Sequence, residues 1–113
     1  MEFTSRPYDK AHVFEIHGSL DASSSMDLND SLTQALQNGQ VRLIFDLTSL
    51  EYTSSAGLRV LLSIAKEARK QGGDVRLVAP RPEVKKVFEM SGLSNILQSY
   101  VDVNSAVTSD WPN

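Results

Sequence analysis

The hydrophobic spacing of this chain switches repeatedly between a period of two and a period near 3.6. That alternation restricts it to an α/β architecture. Residues 41–47 (Val-Arg-Leu-Ile-Phe-Asp-Leu) form a nearly continuous apolar run, the pattern of a strand covered on both faces at the centre of a sheet. Residues 11–17 (Ala-His-Val-Phe-Glu-Ile-His) alternate instead, with Phe14 and Ile16 on one face, Val13 and Glu15 on the other, and Gly18 ending the run. Residues 74–79 read as a third strand, stopped by Pro80-Arg81-Pro82. A short strand is expected near 99–101 and an N-terminal one near 2–6.

Helical periodicity fills the gaps. Around 23–38, Leu28, Leu32, Ala35 and Leu36 make one apolar stripe, with Gly39 placed to end the helix. From 56 to 71, Leu58, Leu61, Leu62, Ala65 and Ala68 repeat the pattern before Gly72-Gly73, while Arg59, Ser63, Lys66 and Lys70 take the opposite face. Pro82 suits the first helical position of a helix over 82–91, with Val84, Val87 and Phe88 as its stripe. A last, weaker helix is expected near 104–109. The order β, β, α, β, α, β, α, β, α implies right-handed crossovers between parallel strands. The expectation is one domain over residues 1–113: a mixed, mainly parallel sheet of about five strands with about four helices.

Composition removes several function classes. The 113 residues include no cysteine, which excludes thiol catalysis, disulfides and Cys-based metal sites. Apolar runs such as Val60-Leu61-Leu62 are far too short to span a bilayer, and no basic, then apolar leader opens the chain. A soluble cytoplasmic protein without membrane insertion is expected. The net charge of −3 argues against direct nucleic-acid binding. It is unevenly spread: residues 1–58 carry 3 basic and 8 acidic side chains, residues 59–113 carry 8 and 6. The second half is therefore a candidate partner surface, set against an ordinary solvated helix face.

The stretch that carries chemistry runs from Asp46 to Arg59 (Asp-Leu-Thr-Ser-Leu-Glu-Tyr-Thr-Ser-Ser-Ala-Gly-Leu-Arg). A buried strand ends, a loop follows, and Ser54 and Ser55 stand directly before a helix. Hydroxyls there cap free backbone N–H groups. The same place tolerates an anion, because a helix N-terminus carries about half a positive charge. A phosphate on Ser55 would add roughly −1.5 to −2 of charge beside the small Ala56 and Gly57, switching binding without remodelling the fold. Asp46 reads as a turn former at the strand end.

Thr53-Ser54-Ser55-Ala56-Gly57-Leu58-Arg59-Val60-Leu61-Leu62, after Asp46-Leu47, resembles the signature of the STAS domain, and more closely that of bacterial anti-sigma factor antagonists. Gly18-Ser19-Leu20-Asp21, Gly72-Gly73-Asp74 and Val87-Phe88-Glu89-Met90-Ser91-Gly92-Leu93 agree in order and spacing, so the resemblance covers roughly residues 10 to 108. It implies a binding protein rather than an enzyme. The unphosphorylated antagonist would capture an anti-sigma factor serine kinase of the GHKL type and so release a sigma factor. Phosphorylation two residues before the helix glycine, here Ser55, would weaken binding, and a PP2C-type phosphatase would reverse it. Where many relatives have Asp-Ser-Ser-Gly or Asp-Ser-Thr-Gly, this chain has Ser54-Ser55-Ala56-Gly57, which leaves Ser54 as the second candidate. The partner surface implied is Asp21, the loop residues Thr53, Ser54, Ser55 and Gly57, and the helix face of Arg59, Ser63 and Lys66. Asp21 is equally suited to capping the first helix with Ser23 and Ser24.

Rival chemistries fit less well. Serine hydrolysis needs a base and an orienting acid, yet His12 and His17 both fall on the first alternating strand, and Gly-x-Ser-x-Gly is absent because position 53 is Thr. Five residues apart on a strand, the two histidines face opposite sides and make a poor metal pair. No glycine-rich phosphate loop is present, and no cofactor or metal is expected. Trp111 reads as a tail contact or an unstructured residue. The alternative function is that of a STAS scaffold or adaptor subunit in a stressosome-like or lipid-transport complex.

Overall fold

One long strand organises the sheet. In the computed structural model, which describes residues 2–111, β2 (Ala11–Leu20) pairs with three partners. It runs antiparallel to β1 (Glu2–Tyr8), joined through a turn in which Asp9 takes positive φ. Its residues His12–Glu15 run parallel to Leu43–Asp46 of β3 (Arg42–Asp46). Beyond them, Gly18–Leu20 run parallel to β4 (Leu50–Thr53), with a register shift between Gly18 and Ser19. Gly18 has φ +83°, a conformation open to glycine without steric penalty, and its N–H donates to Ser49 O at 3.0 Å. The sheet continues from β3 to β5 (Asp74–Val78) and β6 (Ser99–Tyr100), both parallel.

The helices are α1 (Ala22–Gln37), α2 (Ser55–Lys70), α3 (Pro82–Ser91) and α4 (Val103–Thr108), with a 3₁₀ turn at Leu93–Asn95. Alternate strand residues serve two cores. Phe14, Ile16, Leu43, Phe45, Val75 and Leu77 pack against the apolar stripes of α1, α2 and α3. Val13, Ile44 and Val78 face the other way, against Ala106 and Val107 of α4. The mixed, mainly parallel α/β sheet is as the sequence pattern implies. The sheet has six strands rather than about five, because Leu-Glu-Tyr-Thr at 50–53 is a strand. Only its terminal Leu50 and Thr53 are buried while Glu51 and Tyr52 are exposed, so no alternation is visible over four residues. Helix α2 starts one residue earlier than its apolar stripe suggests.

The α4 face holds a buried cation. Arg76, 5% exposed, donates to Ala106 O at 2.7 Å, to Ser109 O at 2.9 Å and to Asp110 O. Its guanidinium lies 3.7 Å from the Trp111 ring centre and 5.4 Å from that of Tyr100. Trp111 Nε1 donates to Val107 O at 2.9 Å, so Trp111 is a tail contact. The charge is answered by carbonyls at the negative end of α4 and by aromatic faces. Among the described residues no carboxylate pairs with it.

Removing that donor set strands the buried Ala106 carbonyl, a loss of about 1–3 kcal/mol, and frees the less buried Ser109 and Asp110 carbonyls to find water. Arg76→Ala is expected to lower unfolding free energy in urea titration by about 2–4 kcal/mol. Arg6→Ala, which loses an exposed 3.6 Å contact with Glu15 and an exposed position 5.6 Å from the Tyr8 ring centre, should change it by less than about 1 kcal/mol.

Candidate functional site

The site is built where β2 and β4 end together. Leu20 pairs with Thr53, and the next backbone group, Ser54 N–H, donates to Leu20 O at 2.8 Å. The residues that follow each strand, Asp21 and Ser54, are the N-caps of α1 and α2. Two helix N-termini thus emerge side by side from adjacent parallel strands. Their unpaired N–H groups and partial positive charges share one edge of the molecule.

Each cap occupies its own side chain. Asp21 Oδ1 accepts Ser24 N–H at 2.9 Å, and Asp21 N–H donates to Ser24 Oγ at 2.9 Å, a reciprocal capping box. Ser25 Oγ also donates, to Asp21 O at 2.5 Å. These bonds to Ser24, first from its backbone N–H and then from its hydroxyl, hold the Asp21 carboxyl below the usual carboxylate range. On α2, Ser54 Oγ accepts Gly57 N–H at 3.2 Å. Ser54 is therefore the capping hydroxyl. Ser55 is the first helical residue, exposed, and among the described residues its hydroxyl has no hydrogen-bond partner.

Below this surface the backbone is tightly fitted. Thr53 is 4% exposed and its hydroxyl donates to Ser54 O at 3.2 Å. Gly57 is buried against it. A Cβ there would collide with Thr53 Oγ1 and stand 2.7 Å from Leu20 Cδ2. Glycine at 57 is required by the close approach of α2 to the ends of β2 and β4. Thr53 and Gly57 consequently support the loop from beneath, and the partner-contact role expected of them does not fit their burial. Asp46 Oδ1 accepts the Thr48 N–H at 3.1 Å and the Thr48 hydroxyl at 2.6 Å, forming the turn before β4.

Two grooves flank the exposed ridge of α2. Between α1 and α2 lies one of about 360 Å³, bordered by Met26, Asp30, Arg59 and Ser63. On the other side, between α2 and the end of α3 with its 3₁₀ turn, lies one of about 260 Å³. Leu58, Leu62, Leu93 and Ile96 wall it, with Ser55 and Arg59 at the rim. Arg59 borders both; Lys66, further along α2, borders neither. The second groove was not visible in the sequence. Leu58 and Leu62 read there as core, yet they are only partly buried, at the margin of the stripe formed by Leu61, Ile64, Ala65 and Ala68. Met26 is 70% exposed, and its position outside the α1 stripe was the available signal.

The histidines lie apart from this edge. His12 sits where the parallel strands begin, lining a hollow with Lys10, Gly39 and Gly72, and burial lowers its pKa. His17 is 3.7 Å from Glu15. Neither is assembled with Ser54 or Ser55 as a base. What the edge offers is an accessible hydroxyl in a positive field, beside one apolar groove, which suits reversible modification and docking. Among the described residues no helix is long and apolar enough to cross a membrane.

Comparison with known proteins agrees with this geometry. The STAS domain family model matches residues 3–106. A Bordetella bronchiseptica protein assigned as an anti-sigma factor antagonist, BtrV, is 34% identical over 96 residues, covering 85% of this chain and 83% of the relative. Among solved structures, a Thermotoga maritima protein assigned as an anti-sigma factor antagonist superposes with a TM-score of 0.88 at 22% identity, covering 93% of this chain and 91% of that one. The Bacillus cell fate determinant SpoIIAA in its phosphorylated form gives 0.75 at 22% identity, covering 94% and 96%.

Two outcomes follow from the local packing. Gly57→Val forces Thr53 and Leu20 to move, and is expected to lower stability by about 1–3 kcal/mol in denaturant titration. Asp21 has a folded-state pKa depressed below 3.8, so its contribution to stability is complete above that value and fades as pH falls below it. Asp21→Asn should therefore flatten the acid limb of the stability–pH curve below about pH 4; an unchanged limb relative to wild type would contradict the capping role.

Proposed function

We propose that this chain, which belongs to the STAS domain family, is an anti-sigma factor antagonist switched by phosphorylation at Ser55. Unphosphorylated, it binds an anti-sigma factor that is itself a serine kinase, and a sigma factor is released. The kinase transfers phosphate to Ser55, the complex weakens, and a PP2C-type phosphatase resets the hydroxyl. The reading places the protein in the cytoplasm, where those partners act. It is a binding protein with no chemistry of its own to perform.

The observation that carries the reading is the division of labour between two adjacent hydroxyls. Ser54 is committed to the helix cap, while Ser55 stands exposed at the first turn of α2. A phosphate there meets unpaired N–H donors and a favourable dipole worth roughly 0.3–1 kcal/mol at an exposed site, so the fold tolerates it. The formal charge of −3 would become about −5, and the whole change falls on one edge. A partner surface complementary to the neutral hydroxyl then meets a dianion that it must desolvate, and like charge or lost fit disfavours docking.

With the cognate kinase and radiolabelled ATP, Ser55→Ala is expected to take up no phosphate and to keep wild-type stability. Ser54→Ala should still be labelled at Ser55 while losing about 1 kcal/mol of stability with its cap. Labelling of Ser55→Ala at the wild-type level would move the modification elsewhere. Ser55→Asp should retain the fold by circular dichroism yet capture the kinase more weakly; undiminished capture would contradict the switch.

A further inference from the structure

Among the described residues Arg42 and Arg59 are the arginines without an internal partner, and Arg42 is half-buried beside His12, Gly39 and Gly72, apart from the candidate site. Arg6 contacts Glu15, Arg69 pairs with Asp74 at 2.8 Å, Arg76 is held by carbonyls, and Arg81 donates to Thr48 O at 3.0 Å. Among the described residues the Arg59 guanidinium has neither an ion pair nor a hydrogen bond, though it is exposed at the centre of the candidate surface. It lies four residues after Ser55 on α2, one turn along the same face. Both residues rim the groove walled by Leu58, Leu62, Leu93 and Ile96. At about 260 Å³ that groove falls below the roughly 300–1,000 Å³ of small-molecule sites, and its apolar walls suit a large apolar side chain. Ile96, on the wall of this groove, is 39% exposed.

We propose that Arg59 decides between two carboxylate-like partners, one from another protein and one from its own chain. With Ser55 unmodified, Arg59 pairs with an Asp or Glu of the anti-sigma factor, and an apolar side chain next to that carboxylate fills the α2–α3 groove. With Ser55 phosphorylated, the phosphate one turn away takes the guanidinium and covers the groove rim. This rests on the proposed phospho-switch and gives it a second component: the modification adds repulsion and also removes the cation that docking uses. An unpaired surface arginine beside an apolar groove is complementary to an acidic–apolar segment, and docking there replaces no internal pair.

Two measurements test it. Phosphoserine is installed genetically at position 55, and the second phosphate ionisation is followed by ³¹P NMR in otherwise wild-type protein and in the Arg59→Gln background. The helix N-terminus is common to both, so their difference isolates Arg59. A midpoint lower by about 0.3 unit with Arg59 present is expected for an exposed pair at this spacing; equal midpoints overturn the internal pairing. Calorimetric titration with the purified kinase that labels Ser55 then compares Arg59→Glu with Lys70→Glu, an equal charge change at the far end of α2. Arg59→Glu is expected to weaken binding tenfold or more and Lys70→Glu to leave it within twofold; equal effects overturn the docking role. Should no kinase label Ser55, the phospho-switch itself fails, while the ³¹P comparison still decides whether Arg59 holds a phosphate there.

Discussion

The hydrogen bond from Ser54 N–H to Leu20 O, at 2.8 Å, closes the parallel pairing of β2 with β4, and the candidate site depends on that closure. It sets the starting points of α1 and α2 next to each other. It also presses α2 so closely onto Thr53 and Leu20 that only glycine fits at 57. β2 can serve both β3 and β4 because its register shifts after Gly18, where positive φ is free of side-chain strain. Without that shift the loop carrying Ser54 and Ser55 would not follow the end of β2, and the two helix N-termini would not share an edge.

Function on such an edge is electrostatic and steric. The rigid parts are buried: Thr53, Gly57 and the α2 stripe support the loop, and Asp21 and Ser54 spend their polar atoms on caps. The variable part is one hydroxyl left over. A group that carries no structural bond can gain and lose a phosphate with little effect on folding, whereas the same change at Ser54 would remove a cap. Ser55 rims the α2–α3 groove, whose walls are apolar, and Arg59 borders both grooves. On the other face of the sheet, Arg76 and Trp111 join the end of α4 over Val13, Ile44 and Val78, so the central strands are covered on both sides.

Much of this was legible in the sequence because burial and periodicity coincide. The central strand showed as a continuous apolar run, and α1, α2 and α3 lie within one residue of the ranges set by their stripes and end signals. The Ser54-Ser55-Ala56-Gly57 run located the loop, although the division between capping and free hydroxyl needed the helix start, which no periodicity fixes to a single residue. β4 was hidden because four residues with two exposed side chains show no alternation. Arg76 alternates like an outward residue, and only the short α4 and its tail, weak in the sequence, turn that face inward. Spacing alone does not distinguish the middle of a stripe from its margin, so Leu58 and Leu62 carry the same signal as core residues and the groove they line leaves no mark in the sequence.

The central claim is that the state of the Ser55 hydroxyl decides whether a protein docks on the α1–α2 edge. The most direct measurement is the dissociation constant of the purified anti-sigma factor for the unmodified protein and for the same preparation carrying phosphate at Ser55, side by side at physiological ionic strength. The account predicts tight binding for the first and at least a tenfold higher dissociation constant for the second, with both forms equally folded. Equal affinities for the two forms would contradict it.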